Sequence, residues 1–471
     1  MTQPTRDPQP RRPEIAPLAE GLRAQSLTAA LTEDGRAESR TAAFTRTVEA
    51  GFYEPWMTDA EVDRWVEAHI QDGQQLTAVH VDRDAAAEQS WGPALAQLGF
   101  SAEHPVGTFV EYDKTLNTGG TGPEGALLPA RLITEVTVDP SFRRRGILKH
   151  LMTRSLAGAV DDAMPVALLT ASEGGIYGRF GFGVATREAR IEVDLGLGSG
   201  EDFRLRTPAT GRVLRVDPEK LGGVIDEVWD AFHGSTRGSV DRQVFYRNVG
   251  TGAWDPEDIT SRNRKLRASV HVREDGTVGG YVTYRHEGWE TEPSTIRVHD
   301  LIAVDAVSRI ELWRHLADLD IVRRAVMRAA PVEDVLPSAL ADPRSCRVVG
   351  IRDVLWVRIL DVVRALENRA WSADGLFIFE VSDSLGIIEG TYRVQVDDGI
   401  AHVESLVGEH DLAEEAPRIR VSAETLGSLY LGDSSVHTLH AAGRIEAAGE
   451  DVLRISQTMD LPTRPHCATH F

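Results

Sequence analysis

The sequence predicts an α+β chain built of three successive units, on three observations. A buried strand passes through a basic turn into a helix at residues 136–148. A second strand–turn–helix, without the basic turn, follows at about 303–316. After about residue 355 the apolar positions alternate in short runs, the period of an antiparallel sheet.

Residues 1 to about 35 carry Pro4, Pro8, Pro10, Pro13 and Pro17 among polar and charged side chains. Such a segment buries too little to offset its ordering entropy and is expected to be a flexible tail. Residues 36–205 hold the first unit. Helical patterns at 42–50 and 60–69 lead to a strand at 76–81. A hairpin-like strand at 106–112 then precedes the Gly/Pro-rich loop 117–125. The strand at 132–138, the basic turn with its helix, and a strand at 166–170 complete it.

Residues 206–350 form a second α+β unit. Strands at 269–272 and 281–285 flank Asp275-Gly276, a hairpin signal, and a strand at 296–304 opens onto a helix at 310–316. The turn between them reads Ala306-Val307-Ser308-Arg309, with neither an arginine cluster nor a glycine. This unit reads as a copy of the first that has lost its anion site and serves as structure or as a cleft wall. Residues 351–460 change texture. The sets Phe377/Phe379/Val381, Tyr392/Val394/Val396 and Ile400/His402/Val403 alternate, and 423–431 suggests a packed helix. A tail, 461–471, ends the sequence.

The basic turn is the most informative stretch. From Ile147 the apolar positions continue at Leu148, Leu151, Met152 and Leu156, which is helical spacing. Helix N-termini usually carry Ser, Thr, Asp or Glu, because exposed N–H groups and the dipole favour negative charge there. Here stand Arg143, Arg144, Arg145 and Gly146 instead. Such a terminus invites an anion, and a phosphate can lie against N–H groups that Gly146 leaves unobstructed. The plain alternative is a solvated loop. No Gly-Lys-Ser/Thr follows, so this is not a P-loop, and the G-x-G-x-x-G fingerprint is absent.

Composition narrows the class. The 471 residues are 42% hydrophobic, enough for several cores, and the formal charge is −21. That charge argues against nucleic acid as a general partner. No apolar run reaches membrane-span length and no hydrophobic signal core opens the chain, so no membrane partner is expected and the location expected is cytoplasmic. Cys346 and Cys467 are the two cysteines, too few for a disulfide framework. The histidines form no paired ligand motif, so no metal is implied.

The pattern V-x-V-x-P-x-x-R-R-x-G at 136–146 is similar to the acetyl-CoA pyrophosphate loop of the GCN5-related N-acetyltransferases (GNAT fold). The block Ala171-Ser172-Glu173-Gly174-Gly175-Ile176-Tyr177-Gly178-Arg179-Phe180-Gly181-Phe182-Gly183 resembles one branch of that superfamily, the Eis family of aminoglycoside and amine acetyltransferases. The likeness covers nearly everything after about residue 40. It implies tandem GNAT folds, one catalytic and one degenerate, followed by a sterol-carrier-protein-like α+β domain. It further implies acetyl-CoA as co-substrate, a small-molecule amine as acceptor and a homo-oligomer, a hexamer by analogy.

Residue by residue, the likeness matches Val136 and Val138 to the contacts of the pantetheine arm. Arg143, Arg144, Gly146 and Ile147 match the pyrophosphate positions, and Ser172 a further cofactor contact. Tyr177 matches the general acid. Taken alone, Tyr177 reads as a packed ring with a hydrated hydroxyl. At neutral pH its phenol remains protonated and can donate to a departing thiolate. Phe180 and Phe182 read as packing residues. No His-Asp arrangement offers a base. The family uses its C-terminal carboxylate on a terminal phenylalanine, and this sequence ends Ala468-Thr469-His470-Phe471. By that likeness the tail enters the active site.

Two positions depart from the family. Glu135 stands where relatives carry an aromatic residue, and His470 where an acidic residue contributes to aminoglycoside binding. Glu135 reads either as an anionic contact to an ammonium or as a solvated carboxylate. The function expected is therefore acetyl transfer to a multi-amine small molecule, aminoglycoside- or polyamine-like. The competing expectations are a protein-lysine acetyltransferase and a lipid-binding scaffold with a vestigial core.

Overall fold

The computed structural model describes residues 10–82, 104–196, 203–406 and 416–471. In chain order the first part gives β1 (Leu22–Thr28), α1 (Ser39–Gly51), α2 (Asp59–Gln71), β2 (Gln75–Val81), β3 (Gly107–Asn117) and β4 (Leu127–Val138). Then come α3 (Ile147–Asp161), β5 (Val166–Thr170), β6 (Gly183–Val184) and β7 (Arg187–Asp194). The middle part gives β8 (Arg212–Val216), α4 (Gly222–Ser235), α5 (Val244–Gly250), β9 (Arg267–Val272), β10 (Val278–His286), β11 (Thr295–Ala303), α6 (Ala306–Ala317) and β12 (Arg324–Pro331). The last part gives β13 (Cys346–Asp353), β14 (Leu355–Ile359), α7 (Val362–Glu367), β15 (Gly375–Ser382), β16 (Gly390–Asp397), β17 (Ile400–Leu406) and β18 (Arg418–Ser422). It ends with α8 (Ala423–Tyr430), α9 (Val436–Ala441), β19 (Ile445–Glu446) and α10 (Gly449–Met459).

Three sheets result, ordered β1-β2-β3-β4-β5-β14-β6, β13-β7-β12-β11-β10-β9-β8 and β17-β16-β15-β18-β19. The first two share a plan. In each, an antiparallel run leads into a strand, a helix and a parallel strand: β4–α3–β5 in one and β11–α6–β12 in the other. Parallel neighbours need such a crossover. The two helices begin differently. Gly146, at φ +78°, precedes α3 with no side-chain cap, whereas the Asp305 carboxylate accepts the Ser308 N–H at 2.7 Å and caps α6. A fixed carboxylate thus occupies in the second unit a place that no side chain fills in the first.

Sheet pairing corrects two expected boundaries. β7 lies within the 36–205 unit by sequence, yet pairs with β12 and β13 in the second sheet. β14 lies beyond residue 350, yet sits between β5 and β6 in the first. Its five residues are all buried, which suits a central strand covered on both faces. The third unit therefore shares one continuous core with the first, running from Phe44 and Leu168 through Val357 to Phe379 and Leu429. A Cβ on Gly183 would stand 2.0 Å from the Glu424 carbonyl, so α8 lies directly on that strand.

The head of the chain is also corrected. Residues 1–9 lie outside the described residues, but most of the expected flexible tail is structured. β1 pairs with β2 over seven residues. Before it, the Ala16 N–H donates to Thr153 at 2.9 Å, and His150 lies 2.7 Å from the Ala16 carbonyl. Prolines pre-set an extended backbone, so little entropy is left to lose when this stretch docks along α3. No described helix is long and apolar enough to cross a membrane.

Candidate active site

β4 and β5 pair only from Ala130↔Val166 to Ile133↔Leu169. Beyond that point β4 continues to Val138 while β5 stops at Thr170, so the sheet opens like a split seam. A bulge drives the opening. Pairing with β3 slips between Thr108 and Val110, and Glu135 takes a left-handed φ of +51°. The Thr108 hydroxyl fixes it, donating to the Glu135 carbonyl at 2.8 Å and standing 2.6 Å from the Thr137 hydroxyl.

Two cavities meet at this split. The larger, of about 870 Å³, is lined by Val136, Val138, Arg143, Arg144, Gly146, Ile147, Ser172 and Tyr177. All seven expected cofactor-binding residues thus face one space, together with the expected acid. Arg143, Arg144 and Arg145 are exposed, and none forms an ion pair among the described residues. With the uncapped N–H groups of α3 they make a positive, donor-rich mouth suited to a diphosphate. A Cβ on Gly146 would meet the Pro17 carbonyl at 3.2 Å besides straining its φ. These features fit acetyl-CoA. Ser384 and Leu385 from the third unit complete the wall, and no local signal in the sequence could have placed them there.

The smaller cavity, of about 430 Å³, shares Phe52, Val136, Ser172 and Tyr177 with the first. Its far side holds Glu135, Thr170, Arg352, His470 and Phe471. Tyr177 is 7% exposed and packs edge-on against Phe182. Burial, with the Glu173 charge beside it, raises its phenol above the ordinary value. Phe180 and Phe182 are buried, as packing residues should be.

Residues 465–469 are buried, so the end of the sequence is a core element. The Phe471 N–H donates to the Thr170 hydroxyl at 3.3 Å, and that hydroxyl donates to the Phe471 backbone oxygen. Its ring meets Tyr112 edge-on, centroids 6.4 Å apart. His470 donates its N–H to the Tyr246 hydroxyl at 2.6 Å, and its ring lies 2.8 Å from Glu188. The Thr469 hydroxyl donates to the Val240 carbonyl at 2.8 Å. Burial alone would raise the Glu188 carboxyl, but His470 and Arg352 outweigh it and hold it below the usual range.

The second unit supplies the clamp. Arg242 is sandwiched between Trp229 and Tyr246, 3.9 and 4.2 Å from the ring centroids. It grips Asp300 with both terminal nitrogens and donates to the Ala468 carbonyl at 2.9 Å. Sequence reasoning missed this cluster, because Arg242 lies in a loop and its partners, the Tyr281 hydroxyl among them, come from five separate segments.

A GNAT acetyltransferase domain model matches residues 57–185, a second matches 238–359, and a sterol carrier protein domain model matches 362–468. An uncharacterized N-acetyltransferase of Streptomyces griseus is 33% identical over 397 residues, 83% of this chain and 92% of its own length. N-acetyltransferase Eis of Mycobacterium tuberculosis is 32% identical over 342 residues, 71% of this chain and 78% of its own. The crystal structure of Eis1 from Mycobacterium abscessus superimposes with a TM-score of 0.65 at 28% identity, covering 79% of this chain and 89% of that one.

Proposed function

The chain belongs to the Eis-type GCN5-related N-acetyltransferases, and on that premise we propose that it transfers acetyl from acetyl-CoA directly to an amine of a multi-amine small molecule, aminoglycoside- or polyamine-like. One observation carries the reading. Val136, Ser172 and Tyr177 line both cavities, with the arginine mouth at one end and Phe471 at the other.

Acetyl-CoA, when bound, supplies the thioester. Arg143, Arg144 and the N–H groups at Gly146 and Ile147 hold its pyrophosphate, while Val136, Val138 and Ser172 hold the arm. An alkylammonium, with a pKa of ~10.4, must lose a proton before its nitrogen can attack. The Phe471 α-carboxylate accepts that proton, directly or through one water. The Val136 N–H, beside the bulge where the sheet splits, faces the oxygen that gains charge. Tyr177 donates its hydroxyl proton to the sulfur. The N–C bond forms as the C–S bond breaks, and the second proton, shed by the acylated nitrogen, returns through water to the Tyr177 oxygen in place of the one given to sulfur. Work in the cytoplasm as a homo-oligomer, a hexamer on the family analogy, belongs to the same proposal.

A thiol-release assay with acetyl-CoA tests this on spermidine, kanamycin and a lysine peptide. Faster turnover of the two multi-amines supports it, and preferential acetylation of the peptide points to a protein-lysine acetyltransferase. Bound lipid in native mass spectra, with no CoA binding by calorimetry, overturns it in favour of a carrier.

A further inference from the structure

The smaller cavity is lined by a carboxyl to which the chain gives no hydrogen bond at one of its oxygens. Glu135 lines it beside His470 and Phe471. The Glu135 Oε2 is sealed from water and receives no hydrogen bond. The nearest basic atom is Nε2 of His69, 3.8 Å away, beyond hydrogen-bond reach. The other ring nitrogen of His69 is taken by Gln74.

The arginine nearby is committed elsewhere. Arg352, in the same cavity, is bound to Glu188 at 2.5 Å. Toward α1 the next group is another carboxyl, Glu49, which burial and then the Glu135 charge push up to about 7. The Glu135 side chain is 20% exposed, so the carboxylate is open to the cavity while its sealed Oε2 has only His69 at ion-pair distance; a carboxylate so poorly solvated either stays protonated or receives a cation. In a cavity that admits an amine, the cation is at hand.

We infer that Glu135 is a specificity-determining residue that docks a second, protonated amino group of the multi-amine acceptor. This rests on the acetyl-transfer reading and deepens it. One nitrogen, deprotonated, faces the thioester; another keeps its charge and completes the Glu135 pair. A monoamine reaches the thioester but leaves Glu135 uncompensated, and binds more weakly for that reason.

The test compares the full chain with Glu135→Gln and Glu135→Asp, using spermidine and kanamycin against butylamine and cyclohexylamine. Gln keeps the side-chain shape, and melting curves report whether each variant is folded. In Glu135→Gln the KM for spermidine and kanamycin is expected to rise at least 10-fold, while KM for the monoamines moves less than about 3-fold. Glu135→Asp, which keeps the charge, is expected to recover part of the loss. Equal changes for mono- and multi-amines, or none, overturn the inference and leave Glu135 as a partner of His69 alone.

Calorimetry of spermidine and kanamycin on the CoA-loaded chain separates this from the underlying reading. Binding that disappears in Glu135→Gln supports the docking role whatever the turnover. Multi-amine binding unchanged by the substitution overturns it even in an active enzyme. Absence of acetyl transfer to every amine, with binding intact, overturns the acetyl-transfer reading instead.

Discussion

Phe471 is tied to Thr170, the residue at which β5 stops: its N–H donates to the Thr170 hydroxyl, which donates in turn to the Phe471 backbone oxygen. The end of the sequence thus lies where the first sheet divides, on the wall of the smaller cavity. Four consequences follow from how the mouth, the acid and the tail are held, and the fifth concerns Phe471 itself.

Gly146→Ala places a Cβ at φ +78° and 3.2 Å from the Pro17 carbonyl. Left-handed backbone costs an L-residue about 1–2 kcal/mol. A strained turn no longer presents its N–H groups to the pyrophosphate, and one lost charge-assisted bond is worth roughly 1.5–3 kcal/mol. Acetyl-CoA affinity by calorimetry is expected to fall about 10-fold or more, with the acceptor KM little changed.

Tyr177→Phe removes the phenol proton and keeps the ring that packs on Phe182. Loss of a general acid lowers rate by roughly 10²–10⁴-fold. The drop is expected in kcat, with the melting temperature and acetyl-CoA affinity near wild type. Because burial raises this phenol, its deprotonation limits the rate only above its ordinary pKa of ~10, so Tyr177 contributes no alkaline decline between pH 7 and 9.

His466 gives the tail a pH dependence. Burial, then the Arg309 charge, pushes its imidazole down to about 4, with Asp334 and Glu188 opposing and Arg242 adding to the push. A released tail binds a proton near the usual ~6.5, so between pH 6.5 and 4 the released state holds more protons. Docking is therefore fully stable above pH 6.5 and weakens as pH falls, by up to ~1.4 kcal/mol per unit. Carboxypeptidase removal of Phe471 is expected to accelerate across that window, and less steeply in His466→Phe. Glu188, whose folded value is depressed, adds a loss only below its unfolded ~4.3.

Arg242→Met leaves the half-buried Asp300 with the Tyr281 hydroxyl but without its cation, and the Ala468 carbonyl without its donor. Breaking a fully buried pair on one side costs about 3–5 kcal/mol, and the partial exposure of Asp300 places this loss below that range. Denaturant melts are expected to show that loss, with faster carboxypeptidase release of Phe471. Pairing the change with Asp300→Asn is expected to cost less than the two single changes summed.

How much of this was legible follows from range along the chain. The turn 143–147 was readable because its residues are neighbours in sequence and break the ordinary composition of a helix start. Strands at 76–81 and 166–170 and the hairpin at Asp275-Gly276 were readable for the same reason. β14 was assigned to the wrong unit because its place between β5 and β6 depends on pairing across nearly 200 residues. β1 was missed because the prolines before it announce disorder, while β2 and α3 supply its order from outside. The helix α4 is masked to a local reading. Its apolar face is plain in hindsight at Ile225, Val228, Trp229 and Phe232, but it opens on two glycines. The tail showed nothing locally beyond an aromatic final residue. Its buried course needs Thr170, Tyr246 and Arg242, each more than 220 positions away.

The most direct measurement is the steady-state kinetics of the full chain beside one ending at His470, with acetyl-CoA affinity measured on both. If the Phe471 carboxylate takes the amine proton, kcat is expected to fall at least about 100-fold while acetyl-CoA affinity stays within about 2-fold. A shortened chain that keeps kcat within about 3-fold of the full one contradicts that role.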